Sequence, residues 1–492
     1  MTHTHVLIIG SGLAGLGTAI RLSQQGYTDF VVLERGDDVG GTWRDNTYPG
    51  AACDVPSHLY SYSFALNPEW TRSFSPQAEI HRYIRGIADR YEVRDKHVFG
   101  CEMTGASWNE TDSRWEIQTN KGQYTADIVV SAVGVLCEPS LPDIKGIHTF
   151  EGKIFHSSRW DHETDLAGSR VAVIGAGASA AQIVPNIASE VAHLDVYQRT
   201  PQWVLPHFGR RYLAFERYAF KHVPGLQRLI RAAIYANREL FVVLQTKFPQ
   251  AAVLLELIAR IKMRYEVRDP ALRKQLTPEY RLGCKRMLIS NDLYPTLVRD
   301  DVDLVSDGIK EIRGRSIVSE DGTEREVDAI VLCTGFRVTD SPTWEVFRGR
   351  DGRTLSELYD AEGISAYKGT VVANFPNAFV MLGPNSGLNY TSLIYIIESQ
   401  INYVLDAIST MEKQGLRTIE VRKDVQDNYH RGLQEKMADS VWVTGGCTSW
   451  FLDKNGKNAT LWPDFSFRFR QKLRKFDVES YDTTTRTAEV NA

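Results

Sequence analysis

The chain has 492 residues, 43% of them hydrophobic and 24% charged, with a formal net charge of -4. That length suggests roughly two to four domains of soluble globular type, and the near-neutral balance excludes nucleic acid as the expected partner. No apolar run of about 18 residues points to an integral membrane span, and the six cysteines, scattered without a CxxC pair, read as reduced, mostly buried thiols of a cytoplasmic protein with no disulfide framework and no metal site.

Residues 6–9 form an apolar run of the kind expected for a parallel strand covered on both faces. The run opens the chain without a basic leader, so it is not a signal peptide. It feeds GSGLAG at 10–15, a helical stretch at 16–24 and a second strand at 30–33 that ends on Glu34. Each part has a task in a dinucleotide fingerprint: Gly10 makes the tight turn, Gly12 lets backbone approach a pyrophosphate, and Gly15 lets helix and strand pack closely. The helix N-terminus offers free N–H groups to the phosphates, and Glu34 is placed to accept hydrogen bonds from a ribose diol. GGTW follows, and its Gly41, Thr42 and Trp43 resemble the second flavin-contacting loop of flavoproteins with two nucleotide sites, which favours FAD over NAD. Asp54 stands among Cys53, Val55 and Pro56; a carboxylate in an apolar neighbourhood usually has a cationic partner or a shifted pKa. A helix at 77–91 and strands at 115–119 and 127–134 complete this part of the chain.

After Pro139, Pro142 and Gly146 come FEGKIFHSSRW at 150–160, a strand at 171–174 and a second loop, GAGASA, at 175–180. Gly175, Gly177 and Ser179 are its candidate cofactor contacts, and Ala180 takes the third glycine position, which mainly needs a small side chain. The next strand leads to Arg199 and Thr200, where an NAD site would carry an acid; a cation there suits the 2′-phosphate of NADPH. The stretch FEGKIFHSSRWD resembles the fingerprint of type I Baeyer–Villiger monooxygenases through Phe150, Gly152, His156, Trp160 and Asp161. With GSGLAG, GGTW, CDVPS and GAGASA in the family's order, the resemblance covers nearly the whole chain. The flavin-containing monooxygenases are similar but usually carry Tyr or Phe where Trp160 stands.

The resemblance implies an α/β protein with two Rossmann-like dinucleotide-binding domains and a helical insertion. Residues 1–145 and 372–492 would hold FAD, 146–206 and 281–371 would hold NADPH, and 207–280 would be the insertion lining substrate access. Within the insertion Leu226, Leu229, Ile230, Ala233 and Leu240 recur at helical spacing among arginines, a stripe expected to pack on its own protein before a membrane surface. The resemblance further implies that Lys285 joins Arg199 on the 2′-phosphate and that Arg286 is the active-site cation, oriented by Asp54. Gly383 and Asn385 would lie near the isoalloxazine, and His156 and Trp160 would act at a hinge. Cys333 takes the alanine position of the family's ATG-like motif. Trp450, Phe451 and Trp462 read either as plain core or, as the resemblance implies, as a mobile or pocket-lining loop, and the polar sequence from Ser480 onward reads as disordered. The implied activity uses NADPH and O2 to convert ketones to esters or lactones through a flavin peroxide, with sulfoxidation of thioethers beside it, in a monomer or homodimer. A heteroatom-oxygenating flavin monooxygenase is the nearest alternative, and a flavin redox sensor without turnover is one of another class. The missing CxxC argues against a disulfide reductase.

Overall fold

Two parallel βαβ units carry the two glycine loops. The computed structural model describes residues 1–485. In it the first sheet grows from β1 (Thr2–Ile9), α1 (Leu13–Gln24) and β2 (Phe30–Glu34). β1 and β2 run parallel with Val6 beside Phe30, and Val6, Leu7, Ile8 and Ile9 are all buried, as a doubly covered strand requires. The one-turn α2 (Thr42–Asp45) and α3 (Gln77–Arg90) lead to β3 (His97–Phe99) and then to β4 (Met103–Asn109), β5 (Arg114–Thr119) and β6 (Gly122–Ser131). β6 lies parallel to β1 on the side away from β2. Two short strands from far along the chain join the same sheet, Phe347–Arg348 beside β4 and Ala378–Val380 beside β6, and so return the last third of the chain to the first loop.

The second sheet is wholly parallel. Its members are β7 (Lys153–His156), β8 (Arg170–Ile174), which is followed by α4 (Ala178–Ile187), and β9 (His193–Tyr197). Together with two later strands they run in the order Val302–Val305, β9, β8, Ala329–Leu332, β7. The fingerprint stretch, expected at a hinge, therefore supplies the sheet-edge strand β7, with His156 beside Leu332. Its glycine has a steric cause. A Cβ added at Gly152 would lie 2.3 Å from the Asp328 carbonyl oxygen and 2.6 Å from the Phe150 ring, so the aromatic ring fills the space a side chain would need. Gly152→Ala is expected to destabilise the protein by about 1–3 kcal/mol through overpacking. A thermal scan checks this, and an unchanged midpoint would contradict it.

Most of the chain between β9 and the strand Val302–Val305 is helical, including α5 (Ala214–His222), α6 (Leu226–Val242) and α7 (Val253–Glu266). Val242, Ala259 and Met263 are buried, but Leu229, Leu240, Leu254 and Ile261 stay exposed, so only part of the apolar stripe packs on the protein. Among the described residues no single helix is long and apolar enough to cross a membrane.

Two expectations need correction. Cys284 and Cys447 form a disulfide, while Cys53, Cys101, Cys137 and Cys333 are free. The partners are 163 residues apart in sequence, so no local spacing announces them; the fold brings the turn before Arg286 against the C-terminal loop. Alkylation under denaturing, non-reducing conditions should therefore modify four of the six cysteines, and modification of all six would contradict the bond. The polar tail is also ordered further than its composition suggests. Tyr481–Thr485 pairs antiparallel with Leu416–Val421, because buried Tyr481 anchors it, its hydroxyl 2.7 Å from that of Tyr403. The rest of the expected disorder, residues 486–492, lies outside the described residues.

Candidate active site

The first glycine loop shows which glycines the fold demands and which it leaves for a ligand. Gly10 has φ 97°, and a Cβ there would sit 2.5 Å from the Ala132 carbonyl oxygen; at Gly15 it would lie 1.9 Å from the oxygen of Gly10. Gly12 meets only the Gly41 Cα, at 3.8 Å, so its bare backbone faces open space. The loop lines a cavity of about 220 Å³ with Glu34, Gly41, Thr42, Trp43 and Leu382. Glu34 is buried at the end of β2, where its carboxylate accepts from the Ser11 N–H at 2.8 Å and the Gly36 N–H at 2.7 Å. Arg44, which no motif singled out, adds a third donor at 2.8 Å. Trp43 is held by its ring N–H, which donates to the Tyr60 hydroxyl at 2.9 Å.

The second loop repeats the relation. Gly175 has φ 132°, and a Cβ would fall 2.2 Å from the Cys333 carbonyl oxygen, whereas Gly177 opens onto space. Cys333 thus plays toward Gly175 the part that Ala132 plays toward Gly10, at the end of an equivalent strand. Ser179 lies in the first turn of α4. Arg199 is exposed and Thr200 half-buried just past β9. Lys285 stands close enough that burial and then the charge of Arg199 push its pKa down. Among the described residues neither cation has a carboxylate within ion-pair distance. Two like charges held together without an acid favour an incoming anion.

Between the loops lies the Asp54–Arg286 pair. Arg286 donates its Nε–H to Asp54 Oδ2 at 3.0 Å and an Nη2–H to both carboxylate oxygens at 2.6 Å, a fork geometry that fixes both side chains. Burial pushes the Asp54 carboxyl up, but the guanidinium more than reverses this, leaving it below its ordinary value. The carboxylate in turn raises Arg286 against the opposing effect of burial. Arg286 borders two cavities. One, of about 100 Å³, also touches Gly383, Leu382, Arg337 and Trp450 on the flavin-loop side; the other, of about 250 Å³, is walled by Asp54, Phe74, Arg238, Phe241 and Ile258 from the helical insertion and its surroundings.

Other expected site residues lie elsewhere. Asn385, expected beside the flavin ring, is buried, and its amide donates to the carbonyls of Asn458 at 2.7 Å and Leu461 at 3.2 Å; it clamps the C-terminal loop, while Gly383 alone of the two reaches the cavity. His156 is buried with Nδ1 2.9 Å from the Ser158 hydroxyl. Burial lowers its pKa, so the ring is neutral near pH 7. Trp160 packs edge-on against Phe155, ring centroids 5.1 Å apart. Neither borders the two cavities at Arg286. Phe451 and Trp462 are buried core, and only Trp450 of that trio faces a cavity.

Two Rossmann-like units with an arginine–carboxylate pair between them are the architecture of an oxidoreductase with two dinucleotide sites. The family described as pyridine nucleotide-disulphide oxidoreductase matches residues 7–208, a span that contains both glycine loops. A Baeyer-Villiger monooxygenase of Streptomyces coelicolor is 49% identical over 480 residues, covering 97% of this chain and 92% of that one. One of Pseudomonas aeruginosa is 46% identical over 485 residues, covering 98% and 92%. The crystal structure of OTEMO in complex with FAD and NADP aligns with a TM-score of 0.89 at 26% identity, over 98% of this chain and 99% of that one. The chain belongs to the Baeyer–Villiger monooxygenase family.

Proposed function

We propose that the protein is an FAD-dependent, NADPH- and O2-consuming monooxygenase that converts ketones to esters or lactones. The observation that carries this reading is the Arg286–Asp54 fork, which borders both the flavin-side and the insertion-side cavities. Both cofactors fit the residues present. Gly12 and Gly177 leave backbone bare where a pyrophosphate would approach, and Arg199 with Lys285 offers the charge for a 2′-phosphate. In this assignment 1–145 and 372–492 hold FAD, 146–206 and 281–371 hold NADPH, and 207–280 closes the substrate chamber.

Bound FAD, reduced by NADPH, supplies electrons and activates oxygen. The chain's own task is position and field. As a ketone carbon is attacked, its oxygen gathers negative charge, and a fixed guanidinium in a low-dielectric site stabilises that charge far more than it would in water. Arg286 suits this because it does not lose its proton, and Asp54 sets the plane of the fork. His156, neutral and held by Ser158, is placed to shape the sheet edge near the second loop; transferring protons is not its part. Sulfoxidation of thioethers shares the same oxygen donor and is part of the reading. Within this reading the protein acts in the cytoplasm as a monomer or homodimer; four of its cysteines are free thiols, as that compartment favours, and the Cys284–Cys447 bond is a departure from it.

Arg199→Ala is expected to raise the KM for NADPH by about 10- to 100-fold, the loss of one charge-assisted contact, while the KM for NADH changes little. Steady-state kinetics with both nucleotides measure this. An unchanged preference would remove Arg199 from the 2′-phosphate. The reading as a whole is tested by product analysis with ketones: turnover of NADPH that yields only hydrogen peroxide would instead favour a redox protein without oxygenation.

A further inference from the structure

The chamber on the insertion side holds one cation too many. Its wall carries three charged residues, Asp54, Arg286 and Arg238, against a lining otherwise built largely from Val55, Phe74, Leu255, Ile258 and their apolar neighbours. Asp54 is committed to Arg286 through both carboxylate oxygens, so the chamber keeps one uncompensated positive charge, that of Arg238.

Among the described residues nothing pairs with it. Arg238 is half-buried on α6, and among the described residues it has no hydrogen bond and no ion pair; its contacts in this sense are the Phe241 ring, 5.8 Å away, and the more distant charge of Asp54. Two other charged residues of the same helix, Arg231 and Glu239, are satisfied, and Arg228 is exposed to solvent. Arg231 donates to the carbonyls of His58, Leu59 and Ser61 at 2.8–3.1 Å. Glu239, adjacent in sequence, points the other way and accepts from the Ser466 N–H and hydroxyl. Burial pulls the pKa of Arg238 down, and only Asp54 opposes that, as expected of a guanidinium kept without an anion. Two further polar groups in the same chamber wall are unpaired: the amide of Asn389 and the hydroxyl of Thr391 are buried atoms without hydrogen-bond partners. Buried polar atoms of this kind are normally satisfied, and the guanidinium, the Asn389 Nδ2–H and the Thr391 hydroxyl are donors that a carboxylate would satisfy, while Asn389 Oδ1 gains no bond from such a ligand.

We infer that the substrates of this enzyme are ketones that carry a carboxylate remote from the carbonyl, with Arg238 as the residue that selects the acid over its neutral ester. This rests on the proposed Baeyer–Villiger activity. Asn389 and Thr391 can bond to an acid or an ester alike, so the discrimination falls to the charge of Arg238, while Arg286 stays with the reacting carbonyl at the flavin side of the same chamber.

The test compares a long-chain oxo-carboxylic acid with its methyl ester on the flavin-loaded enzyme. Wild type is expected to show a kcat/KM about 10- to 100-fold higher for the acid. Arg238→Gln should collapse that ratio toward one, and Arg238→Lys should restore part of it, since the charge returns without the fork. Calorimetric binding of the saturated carboxylate of the same length, against its methyl ester, to the oxidised holoenzyme reads the same site without turnover. A preference for the ester, or an acid preference that survives Arg238→Gln in both measurements, would overturn the inference. If neither ketone is oxygenated yet the saturated acid binds in an Arg238-dependent way, the carboxylate site stands and the Baeyer–Villiger reading fails. Should Arg238→Gln not fold, the Arg238→Lys ratio and the wild-type calorimetry decide.

Discussion

Arg286→Ala is expected to lower kcat for ketone oxygenation by about 100- to 1000-fold, the loss that follows removal of one preorganised donor from developing negative charge. The protein should still bind FAD, because the first glycine loop, Glu34 and Trp43 are held by contacts that do not involve Arg286. NADPH should still be consumed, with hydrogen peroxide replacing ester as the product. The variant also strands Asp54, whose carboxylate would then face a partly apolar cavity with no forked donor. Arg286→Lys isolates the geometric part of the effect: it keeps a positive charge but cannot engage both carboxylate oxygens through a planar fork, so it should recover only a fraction of the lost rate. Measured rates close to wild type in Arg286→Ala would remove this residue from the chemistry.

The second large effect is expected at Asp54. Asp54→Ala leaves the guanidinium free to turn within the space between the two cavities, and Asp54→Asn leaves it one neutral acceptor. Product formation should fall by about 10- to 100-fold in Asp54→Ala and less in Asp54→Asn, in line with the strength of charge-assisted bonds that fix an orientation. Stability should respond as well. The pair is partly open to the cavity, with side-chain exposures of 35% and 28%, so the cost lies between the surface and buried limits, about 1–3 kcal/mol. Because the Asp54 carboxyl is held below its ordinary value of 3.8, its stabilisation is complete above that pH and is lost as pH falls through the lowered value. The gap in unfolding free energy between wild type and Asp54→Asn should therefore be constant at neutral pH and narrow toward pH about 4 and below. A gap that widened on acidification would contradict the sign of the shift.

How much of this was legible in the sequence depended on the range of the interaction. The glycine loops were readable because their chemistry is local: strand, turn and helix follow one another within 25 residues of β1, whereas the carbonyls that exclude a side chain at Gly10 and Gly175, those of Ala132 and Cys333, come from far along the chain. Asp54 could be seen to need either a cation or a shifted pKa, but its partner lies 232 residues away, and only the resemblance to a known family pointed to Arg286. Where no motif marks a long-range contact, the sequence was silent. The Cys284–Cys447 bond joins two unremarkable turns, and Arg44 meets Glu34 only because a one-turn helix folds back over β2. Arg238 looked like one more cation on an amphipathic helix; only the fold shows that it lines the cavity beside Asp54 and Arg286 with no partner of its own among the described residues. Asn385 marks a different limit: two residues from cavity-lining Gly383, its backbone with φ 56° turns its amide toward the 458–461 loop. Tyr481 does the opposite, lending order to a tail whose composition argued against any.

The central claim is that a ketone oxygen-insertion site is organised around Arg286 between two nucleotide-binding units. It is tested most directly by supplying the FAD-loaded enzyme with NADPH, isotopically heavy oxygen gas and a ketone, and analysing the product by mass spectrometry. The account predicts an ester or lactone carrying one heavy oxygen atom, formed in proportion to the NADPH consumed and lost in Arg286→Ala. Recovery of unchanged ketone while NADPH is oxidised, with all the heavy oxygen in hydrogen peroxide, would contradict it.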